Sequence, residues 1–166
     1  MKTIGSAIIM LVLTPSLFAD NGKELKLTSP DGTHEIAFYQ KQVSPAVNEL
    51  CYRVDYKSQP VVNESRAGLE LDNRIWEMAL GARNLKQPAC WMDNLEVDSV
   101  IYQPAVDKTW HPLYGERSTI HDAYNAATMY LSKKDGSNYR LNIEVRAYDE
   151  GIAFRYFFPE HPQAIF

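Results

Sequence analysis

The sequence predicts an all-β protein, an antiparallel β-sandwich with little helix, on three observations. Apolar residues recur at every second position through most of the chain, the period of a strand with one buried face. The alternating runs are short and are separated by clusters of Gly, Pro, Asp and Ser. Tyr, Phe and Trp number 10, 6 and 3, a ring content that pleated, half-buried surfaces favour. A chain of 166 residues is long enough for one domain with a proper core and short for two.

The first nineteen residues stand apart. Lys2 gives a positive start, residues 4–13 form an apolar run, and Thr14, Pro15 and Ser16 lead to Leu17, Phe18 and Ala19. This is the pattern of a signal peptide over 1–19, too short to span a bilayer. Cleavage is expected after Ala19, giving a periplasmic or secreted product with no membrane attachment. No Cys follows the apolar run, so no lipid anchor is expected at the new terminus.

From residue 20 to 166 a single domain is expected. Leu25 and Leu27 begin it, Ser-Pro-Asp-Gly at 29–32 turns the chain, and Ile36 and Phe38 resume the alternation. Such a tetrad marks a hairpin because Pro presets φ and Gly accepts a positive φ. Leu50, Tyr52, Val54 and Tyr56 alternate next. Shorter runs follow at 60–62, 67–71, 95–102, 126–131, 139–149 and 151–158, with Lys-Asp-Gly-Ser at 134–137 as a further turn. About nine strands result. Residues 73–86 read as loop with at most one helical turn, since Gly81 interrupts them and no apolar stripe runs through.

Lys and Arg number 17 against 21 Asp and Glu, a net charge of −4. Nucleic acid is excluded as a partner, because no cationic excess is present to neutralise phosphates. Neutral or cationic ligands fit better. Export places Cys51 and Cys90 in an oxidising compartment where one bridge could form, but their separation is not fixed by the sequence. Cys51, within an alternating run, reads as a small buried thiol. No His stands at ligand spacing from either cysteine, so no metal site is expected in this chain.

Residues 146–159, Arg-Ala-Tyr-Asp-Glu-Gly-Ile-Ala-Phe-Arg-Tyr-Phe-Phe-Pro, hold two acids and two arginines among rings. Parity resolves their roles. Leu141, Ile143, Val145 and Ala147 share one face, and Ile152, Phe154, Tyr156 and Phe158 share the next strand's apolar face. Apolar opposes apolar only if paired positions sum to an odd number, which requires an even loop of two or four residues. A four-residue turn ending on Gly151 is expected, with Asp149 and Glu150 as turn residues and Glu144 beside Arg155. Catalytic carboxylates must face a shared substrate, and neighbours at a turn tip rarely do. No catalytic residue is assigned here.

A second cluster lies at 109–117, Thr-Trp-His-Pro-Leu-Tyr-Gly-Glu-Arg, followed by His121, Asp122, Tyr124 and Asn125. Pro112 and Gly115 break any continuous strand. Trp110, Tyr114, Glu116 and Arg117 suit carbohydrate, with rings against a pyranose and charged groups on hydroxyls, or a domain interface. The residues alone favour the plainer reading, in which Trp110 and Tyr114 plug the sandwich end while Glu116 and Arg117 pair at the surface. His111 and His121 read as surface or packing residues, and Asp93, Glu96 and Asp98 as a solvated edge.

The same residues carry a family resemblance. Trp-His-Pro-Leu-Tyr-Gly-Glu at 110–116, Tyr124-Asn125, and Tyr-Asp-Glu-Gly-Ile-Ala-Phe-Arg-Tyr at 148–156 with Phe158-Pro159 resemble the N-terminal domain of glycoside hydrolase family 97. Leu-Thr-Ser-Pro-Asp-Gly at 27–32 and Ala-Gly-Leu-Glu-Leu at 67–71 fit the same pattern. Leu113-Tyr114 departs from the family's usual Val-Trp, and Ala126 stands where an acid is more common. The resemblance implies a galactose-mutarotase-like super-sandwich, incomplete here, packed against a (β/α)8 barrel that supplies the catalytic acids. It implies an exported enzyme acting on α-glucosides or α-galactosides, with Ca2+ in some full-length members. No residue of this chain matches a catalytic or metal position of the family, so no cofactor is expected in it. A barrel takes roughly 250 residues, so the chain is expected to be a piece of such an enzyme, inert alone. A free-standing carbohydrate-binding module and a ligand-free interaction sandwich are the alternatives.

Overall fold

The computed structural model describes residues 24–70, 90–134 and 139–159. Eight strands follow in chain order: β1 (Glu24–Thr28), β2 (His34–Ser44), β3 (Val47–Tyr56), β4 (Gln59–Arg66), β5 (Leu95–Trp110), β6 (Ile120–Lys133), β7 (Arg140–Tyr148) and β8 (Gly151–Phe157). They form two antiparallel four-stranded meanders, β1-β2-β3-β4 and β5-β6-β7-β8, packed face to face as a β-sandwich. Short turns make sequence neighbours spatial neighbours.

The first hairpin closes as the Ser-Pro-Asp-Gly tetrad dictates. Leu27 opposes Ile36, Gly32 N donates to Ser29 O at 3.0 Å, and Gly32 takes φ 75°. Asp31 supports the turn by accepting from Ser29 Oγ at 2.6 Å and from Thr33 N at 2.9 Å. Between β3 and β4, Tyr56 opposes Gln59, leaving Lys57 and Ser58 as a two-residue turn with φ 49° and 61°. Two positive φ values define the type I′ turn, whose twist matches a hairpin.

Alternation fills the core. Leu25 and Leu27, Ile36 and Phe38, and Leu50 face Met129 and Leu131, Leu141, Ile143 and Val145, all buried. Trp91 is buried beside them, with Phe158 and Tyr139 against its ring at 5.0 and 6.3 Å. Polar ties cross between the sheets. Asn125 Nδ2 donates to Thr28 O at 2.8 Å, Gly68 N to Tyr156 Oη at 2.7 Å, and Asp31 N to Asp149 Oδ1 at 2.9 Å.

Parity holds in the β7–β8 hairpin, where Ala147 opposes Ile152 and Glu144 opposes Arg155. The loop is shorter than expected. Tyr148 opposes Gly151, so Asp149 and Glu150 alone make the turn, and Gly151 opens the strand. Residues 67–69 are not a strand, although a short one is expected there. Gly68 has φ 142°, and a Cβ on it would lie 2.3 Å from Trp91 O, so the chain bends where it meets that carbonyl. Asp93 is no mere solvated edge, since Lys133, itself buried, donates through Nζ to Asp93 O at 2.7 Å and to Cys90 O at 2.8 Å. Cys51 is buried as expected, and both it and Cys90 are free thiols. The 73–86 segment lies outside the described residues.

Candidate functional site

Past the sandwich, β5 and β6 continue alone. The β6–β7 pairing ends at Tyr124 opposite Tyr148, whereas the β5–β6 pairing runs on from Val106–Tyr124 to Trp110–Ile120. Residues 106–110 and 120–123 therefore form a two-stranded arm, longer than the strands expected at 95–102 and 126–131. A register shift between Gln103 and Val106 accommodates Pro104, which cannot donate to a ladder and is tolerated at such a bulge on an edge strand.

Pro112 and Gly115 end pairing at the arm's tip, and residues 111–119 make a loop there. His111 stitches this loop, its Nδ1 lying 3.0 Å from Ser118 O and 3.2 Å from Thr119 Oγ1. Below it His121 Nε2 meets Asp107 Oδ1 at 2.6 Å across the two strands. Both histidines are thus structural braces of the arm.

The four residues singled out from sequence come together here. Trp110, Tyr114, Glu116 and Arg117 line one open concavity of about 560 Å³, with Leu113 and Ile120 as further walls. The rings do not plug the sandwich: Trp110 is 49 % exposed, Tyr114 90 % and Leu113 99 %. Nor do Glu116 and Arg117 pair, since no ion pair joins either to a described residue. The surface pairing weighed above is corrected by the arm, which carries both groups away from the sandwich end. Leu113 was not singled out, because a single Leu in a loop carries no periodic signal. Its exposure arises only once the arm projects.

The Arg146–Pro159 stretch is scaffold. Arg155 Nε donates to Glu144 Oε2 at 2.7 Å, Asp149 holds the Asp31 amide, and the Arg146 guanidinium lies 4.7 Å from the Tyr124 ring. The Tyr148 hydroxyl accepts from Arg146 and holds its pKa above the ordinary value. On the first sheet, Tyr39 donates to Glu64 Oε2 at 2.8 Å, and Lys41 pairs with the same carboxylate. Burial, then the bond to Glu64, pushes the Tyr39 phenol up to about 12. Among the described residues no three His, Cys, Asp or Glu side chains gather in a way that could hold a metal ion.

The family model described as "Glycosyl-hydrolase 97 N-terminal" matches residues 27–166. Among solved structures, the chain resembles a glycoside hydrolase family 97 enzyme from Pseudoalteromonas sp. strain K8. Its acarbose complex, the panose complex of a Glu-to-Gln variant and an Arg-to-Lys variant each align with TM-score 0.66 at 24 % identity. Each alignment covers 84 % of this chain and 18 % of the enzyme. The chain thus spans under one fifth of the length of those enzymes.

Proposed function

Because this chain belongs to the glycosyl-hydrolase 97 N-terminal family, we propose that it is the non-catalytic β-sandwich part of a secreted α-glycosidase. Its role is to support a (β/α)8 barrel that hydrolyses α-glucosides or α-galactosides. The related enzyme binds panose and acarbose, which favours the α-glucoside class. One observation carries the non-catalytic role. Glu116 is the sole acid lining the arm-tip concavity, whereas glycoside hydrolysis takes two carboxyl groups about 5–9.5 Å apart across the scissile bond.

The purified chain is expected not to release p-nitrophenol from the α-glucoside or the α-galactoside, and the chain joined to its barrel is expected to do so. Activity of the chain alone that persists through purification would overturn the proposal. A second reading, a free-standing carbohydrate-binding module, draws support from the exposed rings of Trp110 and Tyr114 beside Glu116. Calorimetric titration of the chain with maltose or melibiose separates the two: heat that disappears in Trp110→Ala favours the module.

A further inference from the structure

We infer that the arm tip is a self-association surface, and that its occupant is the tip of a second copy of this chain, related to the first by a two-fold axis. The inference goes beyond the family reading and does not depend on it.

The tip presents what contact surfaces are made of. Leu113 is 99 % exposed and Tyr114 90 %, with Trp110 half exposed in the same loop region. Apolar groups crowded together at a surface and edged by charge mark interaction sites, and rings with Arg are favoured at interface centres. The same nine residues supply both a projection and a recess. Leu113 and Tyr114 are almost bare of packing, yet they border a concavity of about 560 Å³ that Trp110 and Ile120 also wall. One tip can therefore offer a Leu side chain to its partner and bury the partner's in return.

Charge selects the occupant. Glu116 and Arg117 are adjacent, opposite in sign, and joined by no ion pair to a described residue. An unrelated partner would have to present a cation and an anion in matching places, whereas a second copy brings both by symmetry. Across a two-fold axis residue i meets j and j meets i, so one Glu116–Arg117 pair between copies implies another. The two charges sum to zero, and two such tips approach without net repulsion.

Rigidity and area set the strength. His111 ties the loop to Ser118 and Thr119, and the His121–Asp107 contact braces the strands below, so little ordering is lost on contact. A ring buries about 150–250 Å² when fully covered. Two tips meeting through Trp110, Leu113, Tyr114 and the stems of Glu116 and Arg117 would remove roughly 1,000 Å² from water, near the lower limit of specific interfaces. The dimer is accordingly weak and reversible, micromolar at the tightest.

Sedimentation equilibrium up to millimolar concentration tests it with the parent chain, Glu116→Arg and Arg117→Glu. The parent is expected to dimerise reversibly. Each variant alone has tips of one sign and is expected to dimerise roughly tenfold more weakly or worse. An equimolar mixture of the two variants is expected to recover the parent's affinity, because each tip then meets its opposite. Leu113→Ser, at a position bare of packing, is expected to weaken association by a similar factor and to leave the melting temperature unchanged. A parent that stays monomeric at millimolar concentration overturns the inference, and so does a mixture no tighter than its components. Association that all three variants leave unchanged also overturns it, since it would then lie on another surface, such as the open edge of β8.

Discussion

Asp31 shows how much one side chain in a turn can do. Its Oδ1 accepts from the Ser29 hydroxyl, the Thr33 amide and the Thr33 hydroxyl, and its own amide donates to Asp149 on the other sheet. The Ser29 bond first and the Thr33 amide next hold the carboxyl down from 3.8 to about 2. A carboxylate whose folded pKa lies below its unfolded value stabilises the fold above the unfolded pKa, and that contribution is lost as pH falls through the folded one. Asp31→Asn, which keeps the shape and removes the charge, is therefore expected to unfold at lower urea than the parent near neutral pH. The gap should persist to about pH 4 and close near pH 2. Urea midpoints across that range check it, and a gap that did not vary with pH would contradict it. The turn itself was legible, since Pro, Asp and Gly fix their own dihedrals. The Asp149 partner was not, because it lies 118 positions along the chain.

At the scale of elements, strands with one buried face were readable and strands with none were not. Leu141, Ile143, Val145 and Ala147 alternate with polar neighbours because the sandwich buries one side of β7, and that pattern is written in the residues. Residues 101–110 bury almost nothing, so no buried face writes an alternation there, and Pro104 falls within the edge-strand irregularity between Gln103 and Val106. Lys133 misleads in the opposite direction: a Lys reads as surface, and only the folded chain brings the Cys90 and Asp93 carbonyls to its ammonium. The β3–β4 turn offers a quantitative check. Lys57 and Ser58 both hold positive φ, a region that costs non-glycine residues roughly 1–2 kcal/mol each. Asn-Gly is the pair that type I′ turns prefer. Lys57→Asn with Ser58→Gly is expected to raise stability by about 1 kcal/mol, because part of the strain relieved is offset by the greater freedom of Gly when unfolded. A denaturant midpoint that falls instead would show that the turn is not type I′.

Taken as a whole, the molecule divides into a sandwich that holds itself together and an arm that does not contribute to that hold. The core residues come from β1, β2, β3, β5, β6 and β7 and from segments beside Trp91, and none comes from the paired stretch between Val106 and Tyr124. The arm was visible in the sequence as a cluster of rings and charges, yet its projection was not, since that depends on β7 ending at Tyr148 while β5 and β6 continue. If the arm serves a partner, removing it should spare the fold. Gln103 opposes Ala126, so replacing residues 104–125 with Asn-Gly closes the same register with a two-residue turn. The losses are the Asn125 bond to Thr28 O, the ladder pairing of Tyr124 and Asn125 with Tyr148 and Ala147, and the packing of Tyr124 on Tyr148 and Arg146, together about 2 kcal/mol. Ile143→Ala, one truncation at a fully buried position, is expected to cost about 2–5 kcal/mol. Excising the arm should therefore destabilise the chain less than shortening that single side chain, with unfolding still cooperative by circular dichroism. An excised chain that failed to fold, while Ile143→Ala still did, would make the arm part of the core and remove the structural reason for assigning it to a partner.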